Sequence, residues 1–410
     1  MKTPPAKAAC LSLVLFAATT LAADKVSTPN ERTGPFILGA DISWIPEDEA
    51  EGAEYFDHGA KKDIFEILKE HQFNYVRLRV FVNPQSTNGY ARHRAEAFCD
   101  VEHTKVMASR AKAAGMGVLL NIHYGDNWTS PGHQDKPVAW QNLSFPELTN
   151  AVYEFTRHTV AALKANGTTP DMVQIGNEVS DGMLFPDGRR SKFDNFAALV
   201  KAGIAGVRAV DPAIKIMLHH HLGRHNERMR EWIDNFLARG TEFDIIGMSC
   251  YAQAQEGDWK TNIDDLATRY TNHAIVVAEY SARKRFINDL VFNAPNQKGL
   301  GTFIWEPTRH REAIFDKDGR NAGGGQQSNF VNDEGINQGA RRRGGTNELR
   351  RAGATPGTNV TARAAETNAP ANAGPRRRSH GGRYDTNELI DLYPEMARAY
   401  GNDKFKPARP

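Results

Sequence analysis

The chain has 410 residues, with 51 Lys and Arg against 49 Asp and Glu and a formal net charge of +2. That length can bury one large core or two smaller ones. The near balance of charge argues against a nucleic-acid binder or a strongly acidic partner.

At the N-terminus, Lys2 and Lys7 precede the apolar run "AACLSLVLFAATTLAA", which is too short to span a membrane and ends in small residues. Residues 1–23 therefore read as a secretory signal peptide cut near Ala22 or Ala23, and the mature chain is expected to be secreted, periplasmic or extracellular, with no membrane span. Beyond it only Cys99 and Cys250 remain, which an exported chain can keep either as a disulfide or as two separate buried thiols.

Eight short apolar runs follow in chain order: 36–43 (FILGADIS), 75–82 (YVRLRVFV), 117–125 (GVLLNIHYG), 171–179 (DMVQIGNEV), 214–221 (IKIMLHHH), 244–251 (DIIGMSCY), 274–281 (AIVVAEYS) and 301–307 (GTFIWEP). Amphipathic segments such as "KKDIFEILKEH", "VEHTKVMASRAKAAG" and "LTNAVYEFTRHTVAALKANG" separate them. Strands alternating with helices predict a parallel sheet, and eight repeats predict an α/β fold of the (β/α)8 TIM-barrel type as a single catalytic domain over 34–319. No Gly-rich phosphate loop follows an early strand, which argues against a doubly wound sheet.

Residues 320–383 are rich in Gly, Asn, Ala and Arg and poor in large apolar side chains, so they predict a disordered low-complexity insert between the last strand and the last helix. Its Arg clusters at 341 and 376 read as solvated linker. Residues 384–402 regain helical periodicity and predict the terminal barrel helix.

In such a barrel the C-terminal ends of the strands build the functional face. Polar groups collect there: Asp41, Arg77, Arg79, Asn121, His123, Asp126, Asn177, Glu178, His219, His221, Tyr251, Glu279 and Glu306. Singly, each has a bland reading as a core ion pair or a satisfied core histidine. Glu178 and Glu279 end the fourth and seventh runs, which would set two carboxyls across one cleft, the requirement for glycoside hydrolysis. The competing structural reading pairs Glu178 with Arg77 or Arg79 in the core, and Glu306 reads as structural.

Asn177 stands where an amide can hold a sugar hydroxyl, and Asp41, Arg77, Arg79, Asp126, His123, His219 and Tyr251 are expected around the substrate. Trp128, Trp140 and Trp305 are expected as stacking platforms for sugar rings. The imidazoles at 219–221, 123 and 133 lack a metal-ligand spacing, alternation sends His220 away from its neighbours, and neither metal nor cofactor is expected.

The motifs "GADISW", "YVRLRVFVNP", "NIHYGDNWTSPGHQDKPVAW", "PDMVQIGNEVSDGMLFP", "IKIMLHHHLG", "FDIIGMSCY" and "GLGTFIWEP", in order over 34–316, resemble glycoside hydrolase family 53, the arabinogalactan endo-β-1,4-galactanases. The resemblance implies a retaining, endo-acting (β/α)8 enzyme on galactan or arabinogalactan, with Glu178 as acid/base and Glu279 as nucleophile. Retention further requires the two carboxyls to lie about 5–5.5 Å apart.

Three departures accompany the resemblance. The family's "VVETAYP" is replaced by "VVAEYSARK", with Ala278 interposed, so either the alignment shifts by one residue or a bulge keeps Glu279 inward. The loop after the seventh strand, where some bacterial members bind calcium, lacks their acidic run. "MLHHHLG" stands for "MLHLDNG", which implies altered subsite preference. Two competing readings are a related barrel glycosidase on mannan or xylan, and a silent barrel that only binds polysaccharide. Oligomeric state leaves no mark in the sequence.

Overall fold

A computed structural model describes residues 34–251, 256–310, 312–321 and 381–405. The expected signal peptide, 1–23, and residues 322–380 of the expected insert lie outside the described residues.

The eight apolar runs form eight parallel strands: β1 (Ile37–Asp41), β2 (Tyr75–Val80), β3 (Gly117–Ile122), β4 (Met172–Ile175), β5 (Lys215–His220), β6 (Ile245–Ser249), β7 (Ala274–Tyr280) and β8 (Gly299–Trp305). Each pairs with its neighbours in chain order, and β1 pairs with both β2 and β8, closing a (β/α)8 barrel. The crossover helices are α1 (Ile64–Glu70), α2 (Val101–Ala113), α3 (Phe145–Ala165), α4 (Phe193–Val210), α5 (Asn226–Ala238), α6 (Glu256–Arg269), α7 (Lys284–Phe292) and α8 (Leu392–Ala399). Asp63 and Asp100 cap α1 and α2 by accepting from backbone N–H groups of the first turn.

Side chains on alternate strand positions divide between two cores. Ile37, Leu119, Met172, Met217, Ile245 and Phe303 plug the barrel interior, while Leu38, Val76, Leu120, Val173, Ile216 and Ile246 face the helices. The Phe303 ring lies where a Cβ on Gly39 would stand, 2.3 Å from it, so Gly39 leaves the space this bottom layer needs.

Several boundaries differ from the sequence reading. The fourth strand ends at Ile175 rather than 179, because the chain turns at Gly176 (φ +75°), where a side chain would meet Val179 at 2.5 Å. The eighth begins at Gly299, two residues early. The expected helix over 384–402 begins only at Leu392, because Gly382–Thr386 pairs as a strand with Ala53–Asp57 and Phe315–Lys317 in a small second sheet. Arg320–Asn321 extends that sheet, so residues 320–321 and 382–383, read from sequence as the two ends of the disordered insert, are paired strand. Cys99 and Cys250 are separate buried free thiols. No described helix is long and apolar enough to cross a membrane.

Candidate active site

Above the apolar plug the barrel interior turns polar, with Asp41, Arg77, Asn121, Gln174, His219, Ser249 and Glu279 contributed by β1 to β7 in turn. Arg77 organises one half. Its guanidinium donates to Asp41 Oδ2 at 2.8 Å, Asn177 Oδ1 at 2.7 Å and Gln174 Oε1 at 3.1 and 3.2 Å, and it pairs with Glu279 Oε1 at 2.8 Å. Such a fixed planar fork aligns several acceptors at once, which a lysine cannot do.

How Glu279 comes to face inward is settled by a bulge. On the β6 side Met248 pairs with Val277 but Ser249 pairs with Glu279, and on the β8 side Val277 pairs with Thr302 but Tyr280 with Ile304. One residue of β7 is therefore extra against both neighbours. Val276 and Ala278 join the interior cluster and Val277 and Tyr280 the outer core, so Ala278 and Glu279 both point inward in succession. Of the two alternatives the sequence left open, the bulge is the one found.

Glu279 Oε2 accepts from the Tyr251 hydroxyl at 2.9 Å. Burial, joined by the Asp41 charge, leaves its pKa above the usual carboxylate value, although the Arg77 guanidinium and the Tyr251 hydrogen bond pull it down. Glu178 has a different environment. It follows β4 with φ +48°, and its Oε1 accepts from Ser249 Oγ at 2.7 Å. Burial, reinforced by the negative charge of Glu279, pushes Glu178 up to about 8. Arg77 and Arg79 pair with Asp41, Glu279 and Glu306, not with Glu178, so the core ion-pair reading of Glu178 is not what the barrel contains.

Behind Glu178 runs a one-way hydrogen-bond chain. His219 Nδ1 faces the Glu178 N–H at 3.4 Å and the Gln174 amide at 3.2 Å, and its Nε2 lies 2.9 Å from Ser249 Oγ. Burial holds His219 well below its usual pKa, so the ring is neutral. With Nδ1 accepting, Nε2 carries the proton and donates to Ser249, which leaves the serine proton for Glu178.

The loop after β3 braces Asn177: its Nδ2 donates to the Thr129 carbonyl at 2.9 Å, and Gln134 Nε2 donates to its backbone oxygen at 2.9 Å. His123, neutral by burial, accepts from the Thr129 N–H and lies 3.0 Å from Asn121 Nδ2. Asp126 accepts from the Asn83 and Val138 N–H groups and from Ser86 Oγ, so it ties two rim loops together and spends its oxygens there. Tyr124, Glu178 and Glu306, in the turns that follow β3, β4 and β8, take positive φ and so place left-handed backbone on this face.

The aromatic expectations divide. Trp128 is 41% exposed, tilted on Trp44 at 4.7 Å and covered behind by the Arg79 guanidinium at 5.3 Å. A cavity of about 350 Å³ opens beside it between Asn88, Arg92, His133 and Lys136. Trp305 stands edge-on to Tyr251 at 6.0 Å and to His310 at 4.5 Å. Trp140 is a correction: at 8% exposure it packs in the core against Phe155 at 6.1 Å, because the turn carrying it folds back onto α3. Glu306 takes its structural role, accepting from Arg79 at 2.8 Å. His220 points outward onto Trp232 and His221 contacts Ser180, so the histidine run splits three ways.

Sequence reading missed Gln174, Ser249 and His310. Gln174 and Ser249 share strand parity with the interior residues Met172 and Ile245, and a polar residue at that parity in an apolar strand was the available signal. In the loop after β7, where some bacterial members of the family bind calcium and this chain lacks their acidic run, the Lys284 ammonium donates to the Ser281 and Glu312 carbonyls. A side-chain cation already holds those oxygens, so these residues do not fit a calcium ion.

A closed (β/α)8 barrel with two differently tuned glutamates after β4 and on β7 defines a glycoside hydrolase. The family model for glycosyl hydrolase family 53 matches residues 37–290. The chain belongs to that family. It is 36% identical over 315 residues to an uncharacterized protein in the bgaB 5′ region of Niallia circulans, covering 66% of this chain and 83% of that one. A probable arabinogalactan endo-β-1,4-galactanase A of Aspergillus terreus is 31% identical, covering 67% and 86%. Among solved structures, the family 53 catalytic domain of Ignisphaera aggregans superposes with a TM-score of 0.63 at 34% identity, covering 67% of this chain and 85% of that one. A fungal β-1,4-galactanase gives 0.59 at 28%, covering 66% and 89%.

Proposed function

We propose that this chain is an exported, retaining endo-β-1,4-galactanase that hydrolyses galactan or arabinogalactan by double displacement. The observation that carries the reading is the contrast between its two inward glutamates. Glu279, held by the Arg77 guanidinium and the Tyr251 hydroxyl, is the ionised nucleophile. Glu178, held by one neutral donor and pushed up to about 8, stays protonated at neutral pH and is the acid.

In the first step a Glu279 oxygen attacks the anomeric carbon while Glu178 gives its proton to the departing glycosidic oxygen, leaving a glycosyl ester on Glu279 and a free hydroxyl on the leaving chain. Once the ester forms, the Glu279 charge that raised Glu178 is gone, which favours its carboxylate. Glu178 then takes a proton from water, whose oxygen displaces Glu279 at the same carbon. Asn177, its Oδ1 fixed by Arg77, turns its remaining polar capacity toward the sugar 2-hydroxyl. Trp128 and Trp305 offer ring faces to neighbouring residues of the polymer.

The galactan assignment is supported by relatives that carry the name arabinogalactan endo-β-1,4-galactanase. Reducing-sugar release from purified linear β-1,4-galactan, xylan and mannan tests it. Oligosaccharides from galactan alone are expected; cleavage of xylan or mannan with none of galactan would overturn the substrate.

A further inference from the structure

We infer that Asp57, His58 and His71, on the flank of the barrel away from the catalytic glutamates, form a binding site for a divalent transition-metal cation of the zinc type. Asp57 ends the strand Ala53–Asp57, His58 lies in the hairpin turn that follows it, and His71 caps the C-terminus of α1. One ligand atom from each lies within 4.8 Å of the others. His71 Nε2 is 3.0 Å and His58 Nε2 3.7 Å from the same oxygen, Asp57 Oδ1. Ligands about 2.0–2.1 Å from a tetrahedral zinc stand roughly 3.3 Å apart, so these separations need only small adjustment. His58, exposed and at φ +47° in the turn, can make it.

A second observation is independent of that proximity. His71 is 8% exposed, and its Nδ1 is buried with no hydrogen-bond partner among the described residues, 3.8 Å from Asp391 Oδ1. Nε2 faces Asp57 and Nδ1 faces a second carboxylate, so the ring is set edge-on between two anionic groups. When a cation takes Nε2, the single ring proton moves to Nδ1 and points at Asp391, giving the carboxylate–histidine–metal order of orienting partners.

The surroundings admit the charge. Lys62 Nζ lies 3.0 Å from the other oxygen, Asp57 Oδ2, but also pairs with Glu70, and Asp391 adds a further negative group 3.8 Å from His58 Nε2. Thr386 Oγ1 donates to Asp57 Oδ1 at 3.0 Å and steadies it. Two imidazoles with one carboxylate favour zinc over calcium or magnesium, which prefer all-oxygen shells. Thr386 and Asp391 lie in the segment leading into α8, so the cation would fasten the first βα unit to the helix that closes the barrel.

The test uses the full chain dialysed against chelator, then titrated with zinc chloride by calorimetry at pH 7.5, with thermal unfolding alongside. One saturable site is expected, with a midpoint rise of about 5 °C at a hundredfold excess over Kd. His58→Ala, in an exposed turn that the fold does not need, should weaken zinc at least tenfold, and Asp391→Asn about tenfold. No saturable uptake by the unsubstituted chain, affinity unchanged in His58→Ala, or tighter binding of calcium than zinc would each overturn the site.

Discussion

Replacing Ser249 by Ala isolates the control of the Glu178 proton. Ser249 donates the one side-chain hydrogen bond found on the Glu178 carboxyl among the described residues, at 2.7 Å, and that bond lowers the pKa of a group otherwise raised by burial. A hydrogen bond to a charged group contributes about 1.5–3 kcal/mol. At 1.36 kcal/mol per pKa unit that is roughly one to two units, and the lower figure applies because Glu178 is half-buried and water can replace part of the lost donor. The carboxylate form loses the stabilisation, so the pKa rises from about 8 toward roughly 9. The alkaline limb of kcat/KM on galactan, where the acid loses its proton, therefore moves up by about one unit. The acid limb, set by Glu279, stays put. A pH profile from reducing-end release measures both limbs. An unmoved alkaline limb, or one moved to lower pH, would refute the assignment of Glu178 as the acid supported by Ser249.

Four further outcomes follow from the same geometry. Glu279→Ala should cut kcat by at least about a thousandfold, with azide restoring turnover by attacking the vacated anomeric face; unchanged turnover would remove Glu279 from the mechanism. Deleting Ala278 should leave activity within about tenfold, because removing the extra residue restores regular alternation with Glu279 still inward; complete loss in a folded protein would contradict the bulge. Arg77→Met should depress kcat by about a hundredfold or more, since Glu279, Asp41 and Asn177 all lose their common donor. Trp140→Ala should lose about 3–5 kcal/mol of stability in urea melts with KM held, whereas Trp128→Ala should raise KM with stability held; the reverse pattern would exchange their roles.

The strands and their polar ends were legible because buried parallel strands are continuous apolar runs, and Asp41, Arg77, Asn177, Glu178 and Glu279 interrupt them where no apolar core would tolerate an unpaired charge. The direction of Glu279 was not legible. A one-residue insertion is absorbed or transmitted according to pairing on both neighbouring strands, which β7 alone does not specify. Trp140 misled because its loop is polar on average, while one side chain of that loop turns inward onto Phe155. The second sheet escaped notice because Gly382–Thr386 pairs with Ala53–Asp57, and such distant pairing leaves no periodicity in either segment. Ser249 looked like an ordinary strand residue until β6 set it between His219 and Glu178.

Proton NMR of galactan during the first minutes of hydrolysis bears most directly on the two-glutamate mechanism, since it reads the configuration of each new reducing end before mutarotation. Attack by Glu279 followed by displacement with water inverts the anomeric carbon twice, so the β anomer must appear first and α must grow in slowly. Initial release of the α anomer would mean a single displacement by water, and Glu279 would not be the nucleophile.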